Sequence, residues 1–170
     1  MKNKIKLDSK FIINSAMIAA AYIALSYISS LLSLSFGAIQ FRLSEALNIL
    51  AAVTPAAIPG LTIGCLLSNI SSPFGIVDII FGTVATLLSA VLINLIGKLK
   101  IKAMPVLAAI PPTVLNGLAV GIFTVFFTDG TATIITFGLT FLSVAVSELI
   151  ICALLGTVVF ITSKKYNLFK

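Results

Sequence analysis

Histidine is absent from this 170-residue chain, and charge is scarce: only 9% of the residues are Asp, Glu, Lys or Arg, against about a quarter in soluble domains. Without histidine the chain lacks the commonest general base and a frequent metal ligand. The two cysteines, Cys65 and Cys152, both fall inside apolar segments. With no histidine beside them they offer no metal geometry and read as buried packing residues. No GxSxG elbow, no GxxxxGK[ST] phosphate loop and no acidic cluster with metal-ligand spacing occurs. The chain is therefore expected not to be an enzyme and to need no cofactor. Any coupling to ATP would have to come from other chains.

What is present is hydrocarbon. Hydrophobic residues make up 59% of the chain and the mean hydropathy is +1.21, the composition of an integral membrane protein. At about 20 residues per span, the length accommodates about six helices and little extramembrane mass. The first ten residues, MKNKIKLDSK, are basic and resemble the start of a signal peptide. The apolar run behind them, Phe11 to Leu34, is too long for a signal core and shows no clear small-residue cleavage site, so it reads as a first span. The net charge of +6 resides in three lysine clusters, at 2–10, 98–102 and 164–170. Each flanks an apolar segment, so the positive-inside rule accounts for them and no nucleic-acid partner is implied.

Residues 11–34, 78–97, 103–128 and 133–161 each read as one transmembrane helix, bounded by charges or by turn formers such as Asp129-Gly130. The apolar run 46–67 either spans once or is split by Pro55, Pro59 and Gly60 into a hairpin. Charge parity selects the hairpin, because only then do all three lysine clusters fall on the cytoplasmic side. Its helices are placed at about 42–54 and 55–72, with Thr54-Pro55 ending the first and Pro55 in the first turn of the second. At about 1.5 Å per residue the first is near 20 Å long, short for a ~30 Å core, and is expected to be tilted or partly inserted. The expected fold is an all-α membrane protein, one domain over residues 1–170, with six transmembrane helices and both termini cytoplasmic.

On this topology the remaining polar groups form a pattern. Arg42 and Glu45 lie at the outer end of the second helix, Asp78 at the outer start of the fourth, Asp129 in the outer turn before the sixth, and Glu148 near the middle of the sixth. Arg42, Glu45 and Asn48 are spaced three apart and share a helix face. Asn69 and Asn116 add amides, and the set is expected to converge on a cavity open to the outside. Plainer readings stand beside this one. Arg42 and Glu45 make an interfacial ion pair, Asp129 in TDGT is a turn former, Asp78 caps its helix, and the two asparagines bridge helices. Glu148 carries more weight, since an ionisable residue at the centre of a span costs roughly 2.5–3.5 kcal/mol to insert. A buried carboxylate can hold a proton, a cation, or two adjacent N–H donors of a planar heterocycle. One alternative is thus a freestanding proton-coupled carrier with Glu148 as its proton site, although no paired broken helices of the inverted-repeat kind are seen. In the first span, Ala16, Ala20 and Ala24 recur every fourth residue and form a smooth strip for close helix approach.

The run GAIQFRLSEALNILAAVTPAAIPGLTIGCLLSNI, followed by DIIFGTVATLLSAVLINLIGK, PPTVLNGLAVG and SELIICALLG, resembles the QueT family of queuosine-precursor S components of energy-coupling factor transporters. The resemblance covers about residues 37–160, with QFRLSEAL and TPAAIPGL its most specific parts. It implies a six-helix membrane subunit that captures a deazapurine such as preQ1, preQ0 or queuine. It also implies a transmembrane coupling protein and two ATPase subunits as partners, engaged through small residues of the first helix onto which Ala16 and Ala20 map. A 7-deazaguanine presents N1–H and a 2-amino group side by side, a match for a carboxylate such as Glu148 or Glu45, with Arg42 expected to hold Glu45 in place.

Overall fold

In lipid a backbone has no water to bond to, so long apolar runs satisfy their N–H and C=O groups internally as helices. The computed structural model describes residues 8–34, 41–99, 103–127 and 133–169, and among them there is no strand. Five α-helices and one 3-10 helix follow in order: α1 Ser9–Leu31, the 3-10 helix Leu43–Ala52, α2 Ala57–Asn69, α3 Ile76–Gly97, α4 Met104–Phe127 and α5 Ile134–Lys165. Asp8 caps α1 by accepting from the Ser9 N–H at 2.8 Å. Thr133 and Thr136 form a reciprocal capping box at the start of α5. Asp129 lies outside the described residues.

Four helices, Ser9–Leu31, Ile76–Gly97, Met104–Phe127 through its Val125, and Ile134–Lys165, are long and apolar enough to cross a membrane, whereas Leu43–Ala52 and Ala57–Asn69 are shorter apolar helices. The chain is a multi-pass membrane protein. Its polarity is inverted relative to a soluble bundle: Leu31, Ile134, Ile135 and Leu139 are exposed, while Ser44, Glu45, Asn48, Ser89, Ser147 and Glu148 are buried.

The 42–54 segment departs most from expectation. It forms a 3-10 helix with every residue from Ser44 to Ala51 buried, and it packs against all five α-helices. It forms the centre of the bundle, surrounded by the five α-helices. The 3-10 rise of about 2.0 Å per residue stretches its ten residues to roughly 20 Å, as long as a 13-residue α-helix. Pro55 falls in the turn that follows rather than in the first helical turn. Pro59 occupies that turn, three residues into α2, where a missing N–H costs little.

α1 runs parallel to α2, and the 3-10 helix runs parallel to α3, whereas α2 and α3 are antiparallel. Ser15 Oγ donates to the Ala56 carbonyl at 2.9 Å, joining the beginnings of α1 and α2. Asn94 Nδ2 donates to the Ala51 carbonyl at 2.8 Å, joining the ends of α3 and the 3-10 helix. Lys10, Lys98, Lys164 and Lys165 consequently sit at one end of the bundle, and Arg42, Asn69 and Asp78 at the other. A close helix contact uses the GLTIG stretch of α2: a Cβ on Gly60 would come within 2.7 Å of the Ser15 carbonyl oxygen, and one on Gly64 within 2.8 Å of Tyr22 Cβ. Two small residues four apart let the backbones of α1 and α2 meet, as in other membrane helix pairs.

Candidate functional site

The 3-10 period carries two polar side chains into the centre of the bundle. Residues three apart eclipse in a 3-10 helix, so Glu45 and Asn48 stand in register, and Asn48 Nδ2 donates to Glu45 Oε2 at 2.5 Å. The other carboxylate oxygen, Glu45 Oε1, accepts from the hydroxyl of Tyr22 in α1. Asn116 of α4 bridges the two buried acids: its Nδ2 lies 2.8 Å from Glu148 Oε1 and 3.4 Å from Glu45 Oε2. Cys152, one turn beyond Glu148 in α5, lies with Sγ 3.6 Å from Glu148 Oε2 and 3.4 Å from the Glu45 carbonyl. Among the described residues Asn48 Oδ1 is buried with no partner. An unmatched acceptor beside two acids is costly in a dry interior.

Arg42 was expected to hold Glu45; the ion pair described for it is with Asp78. Arg42 is the N-cap of the 3-10 helix, with extended backbone at φ −92° and ψ 101°, so its side chain leaves the row on which Glu45 and Asn48 lie. The guanidinium reaches α3 instead, with Nη2 3.0 Å from Asp78 Oδ2 in a half-buried ion pair. Its Nη1 donates to Asn69 Oδ1 at 3.3 Å. Asn69, at the end of α2, donates through Nδ2 to the Asp78 carbonyl at 3.1 Å and thereby fixes both partners. This fit depends on Gly82, where a Cβ would fall 2.6 Å from Asn69 Nδ2. Asp78 is not the cap of α3, since the N-cap is Gly75 and makes no side-chain capping bond.

Between these two polar groups lies a cavity lined by Arg42, Asp78, Asn116 and Glu148, with Phe74, Phe81 and Phe123 among its apolar walls. Its free volume of about 30 Å³ is room for about two ordered waters, each needing ~10–15 Å³. Four of the six sequence-predicted binding residues thus face one space. Glu45 and Asn69 stand behind it, one orienting Asn116 and the other Arg42. Tyr22, Asn48 and Cys152 complete the network; sequence reasoning placed Asn48 on the face shared with Arg42 and Glu45 but did not single out Tyr22 or Cys152 as site residues. A signal existed for both, because a tyrosine hydroxyl in an apolar span needs a partner, and Cys152 follows Glu148 by four residues on the same helix face. Ala16 and Ala20 lie elsewhere, exposed beside a shallow apolar groove between α1 and α2 whose walls include Phe11, Ile23, Pro59 and Ile63.

The arrangement offers a flat apolar slot ending in a buried carboxylate, with an arginine–aspartate pair at its other side. Chemically it suits a small planar solute with N–H donors on one edge. No solved structure matches the chain. A curated relative, the queuosine precursor transporter QueT of Lactococcus lactis subsp. cremoris (strain MG1363), is 43% identical over 76 residues, which cover 45% of this chain and 44% of the relative. The match therefore spans less than half of the relative's length. The model of the QueT transporter family matches residues 12–165, nearly all of the helical bundle, and the chain belongs to that family.

Proposed function

We propose that this chain is the substrate-binding S component of an energy-coupling factor importer. In this reading it captures a queuosine precursor, preQ1, preQ0 or queuine, from outside a bacterial cell membrane. A transmembrane coupling protein and two ATPase subunits supply the transport energy. Six membrane crossings with both termini cytoplasmic fit the reading, with the lysine-bearing end inside and the Arg42–Asp78 end outside.

The observation that carries it is the buried carboxylate of Glu148, held by Asn116 at 2.8 Å and facing a cavity walled by phenylalanines. Glu148 accepts the paired N1–H and 2-amino donors of the deazaguanine edge, and Asn116 offers its amide to a neighbouring atom of the same ring. Arg42 and Asp78 frame the opposite side. Family membership and the 43% identical relative point to the same class of solute, and the sequence has no nucleotide-binding loop of its own.

The test has two parts. Calorimetry on the purified chain is expected to show saturable binding of at least one of preQ1, preQ0 and queuine. Proteoliposomes holding this chain alone are expected to bind it without concentrating it. Concentrative uptake driven by a proton gradient, with no partner present, would instead make the protein a secondary carrier with Glu148 as its proton site.

A further inference from the structure

Phe74 and Phe123 face each other across the cavity that holds Glu148 and Asn116. Their ring centroids are 5.3 Å apart and the planes meet at 67°, an edge-to-face contact of the ordinary favourable kind. The two rings are mounted differently. Phe123 is set in the regular backbone of α4. Phe74 lies in the short connection between α2 and α3 and is 41% exposed. In that connection Ser72 Oγ accepts from the Phe74 N–H at 3.2 Å, the Ser72 carbonyl accepts from the Gly75 N–H at 3.2 Å, and Ser71 Oγ lies 3.1 Å from the Tyr27 hydroxyl of α1. Gly75 itself sits at φ +64° and ψ −142°, a conformation open to glycine and strained for other residues. The turn carrying Phe74 therefore ends on a residue whose backbone conformation favours glycine.

A flat aromatic solute inserted between two rings needs about 7 Å between them, twice the ~3.5 Å carbon contact distance. The 5.3 Å separation falls about 2 Å short. Phe74 lies in the connection between α2 and α3, outside the long helices. The free volume between the walls, about 30 Å³, is far below that of a bicyclic ring, so some wall must yield for one to enter. Phe74 is the wall on a turn.

We infer that Phe74 and Phe123 form an aromatic clamp that closes on the faces of the solute's planar ring while Glu148 and Asn116 read its edge. The inference rests on the proposed binding function and adds to it the residues that select for flatness. In the unliganded protein the two rings contact one another and seal the slot. With solute bound, the edge-to-face contact is exchanged for two stacked faces, and Phe74 is the wall that yields. Selectivity follows: an aromatic bicycle stacks whether or not its side arm is charged, whereas a saturated or puckered ring with the same N–H donors does not fit.

The chain has no tryptophan, so Phe74→Trp introduces a single tryptophan at the clamp, excitable to the red of the three tyrosines. Titration of this variant with preQ0 and preQ1 is expected to quench its emission saturably, at the concentration where calorimetry shows binding. Tyr166→Trp, near the far end of α5 and 63% exposed, is expected to change only by ligand absorbance. Phe74→Ala and Phe123→Leu are expected to weaken binding by roughly ten- to a hundredfold, the range set by loss of base–aromatic stacking. If the wild-type protein binds none of these ligands, the binding function and the clamp fall together. If it binds but Phe74→Ala retains full affinity and Phe74→Trp is not quenched, the clamp alone is overturned. Phe74 is partly exposed, so its variants are expected to fold. Wild-type melting temperatures for the ligand-free Phe74 variants confirm this, and Phe123→Leu provides the independent second reading.

Discussion

At Glu148 the distance to Asn116 makes a specific exchange informative. Glu148→Gln keeps the shape and an oxygen for Asn116 Nδ2, now 2.8 Å away, but turns the second acceptor into a donor. One N–H of a deazaguanine edge would then face another N–H. Loss of a charge-assisted bond costs ~1.5–3 kcal/mol, roughly ten- to a hundredfold in affinity. The protein is expected to stay folded, because an amide is cheaper to bury than a carboxylate. Ligand titration of folded Glu148→Gln checks this, with Thr157→Val as control, since the Thr157 hydroxyl bonds only the Ala153 carbonyl in its own helix among the described contacts. Equal losses in both variants would assign the effect to α5 as a whole. Tyr22→Phe asks a different question of the same network. It removes the hydroxyl donor to Glu45 Oε1 and leaves a buried carboxylate oxygen underbonded, at a cost of about 1–3 kcal/mol. A lower Tm of the ligand-free protein is the expected outcome, and an unchanged Tm would mean that Glu45 finds another donor. The acids and amides of this site were legible because each is expensive in an apolar chain. Their partners were not. Spacing by threes correctly put Glu45 beside Asn48, but the pairing of Arg42 with Asp78, 36 residues away, depends on how the 3-10 helix is capped and how α3 leans on it.

Among the helices, the GLTIG contact of α2 separates glycines that matter from those that do not. Gly64→Leu would drive carbon into the Tyr22 side chain and Gly60→Leu into the Ser15 carbonyl, each from a Cβ position already under 3 Å away. Overpacking of this kind typically costs 1–3 kcal/mol or more, and here the obstacle at Gly60 is backbone. Both variants are expected to lower Tm and to disturb Tyr22, hence Glu45. Gly138 of α5 meets nothing within 4 Å; Gly138→Ala should leave Tm unchanged or raise it, as helix propensity favours alanine by up to about 1 kcal/mol. A comparable loss from Gly138→Ala would show that glycine content, rather than helix contact, sets stability. Long apolar runs announced α1, α3, α4 and α5 in the sequence because length and hydropathy suffice to define a span. The 3-10 geometry of Leu43–Ala52 was not announced. Its composition suits an α-helix equally well, and its form is settled by packing on every side.

Across the whole molecule the five α-helices enclose the 3-10 helix unevenly. Among the described residues α1 packs against α2 and the 3-10 helix, and just 11% of its most apolar window is buried. Its other face is left to lipid or to another chain. Ala16 and Ala20 lie on that face, exposed beside the apolar groove shared with α2, well away from the cavity containing Glu148. The solute site and the small-residue strip are thus carried by different surfaces of one bundle. That separation is what a capture subunit needs if it hands its solute to an energised partner. On the proposed function, Ala16→Leu and Ala20→Leu fill the strip and hold a partner helix off by the width of a side chain. Neither touches the cavity, so affinity of the isolated chain for preQ1 or preQ0 should change less than about twofold, within the usual ±0.5 kcal/mol for surface substitutions. ATP-driven uptake by cells or vesicles containing the full set of partners should be lost. Uptake equal to wild type in both variants would remove the coupling surface from α1. A parallel loss of binding and uptake would mean instead that the strip supports the site through Tyr22, and the measurement that separates these outcomes is calorimetry on each purified variant beside transport in the assembled system.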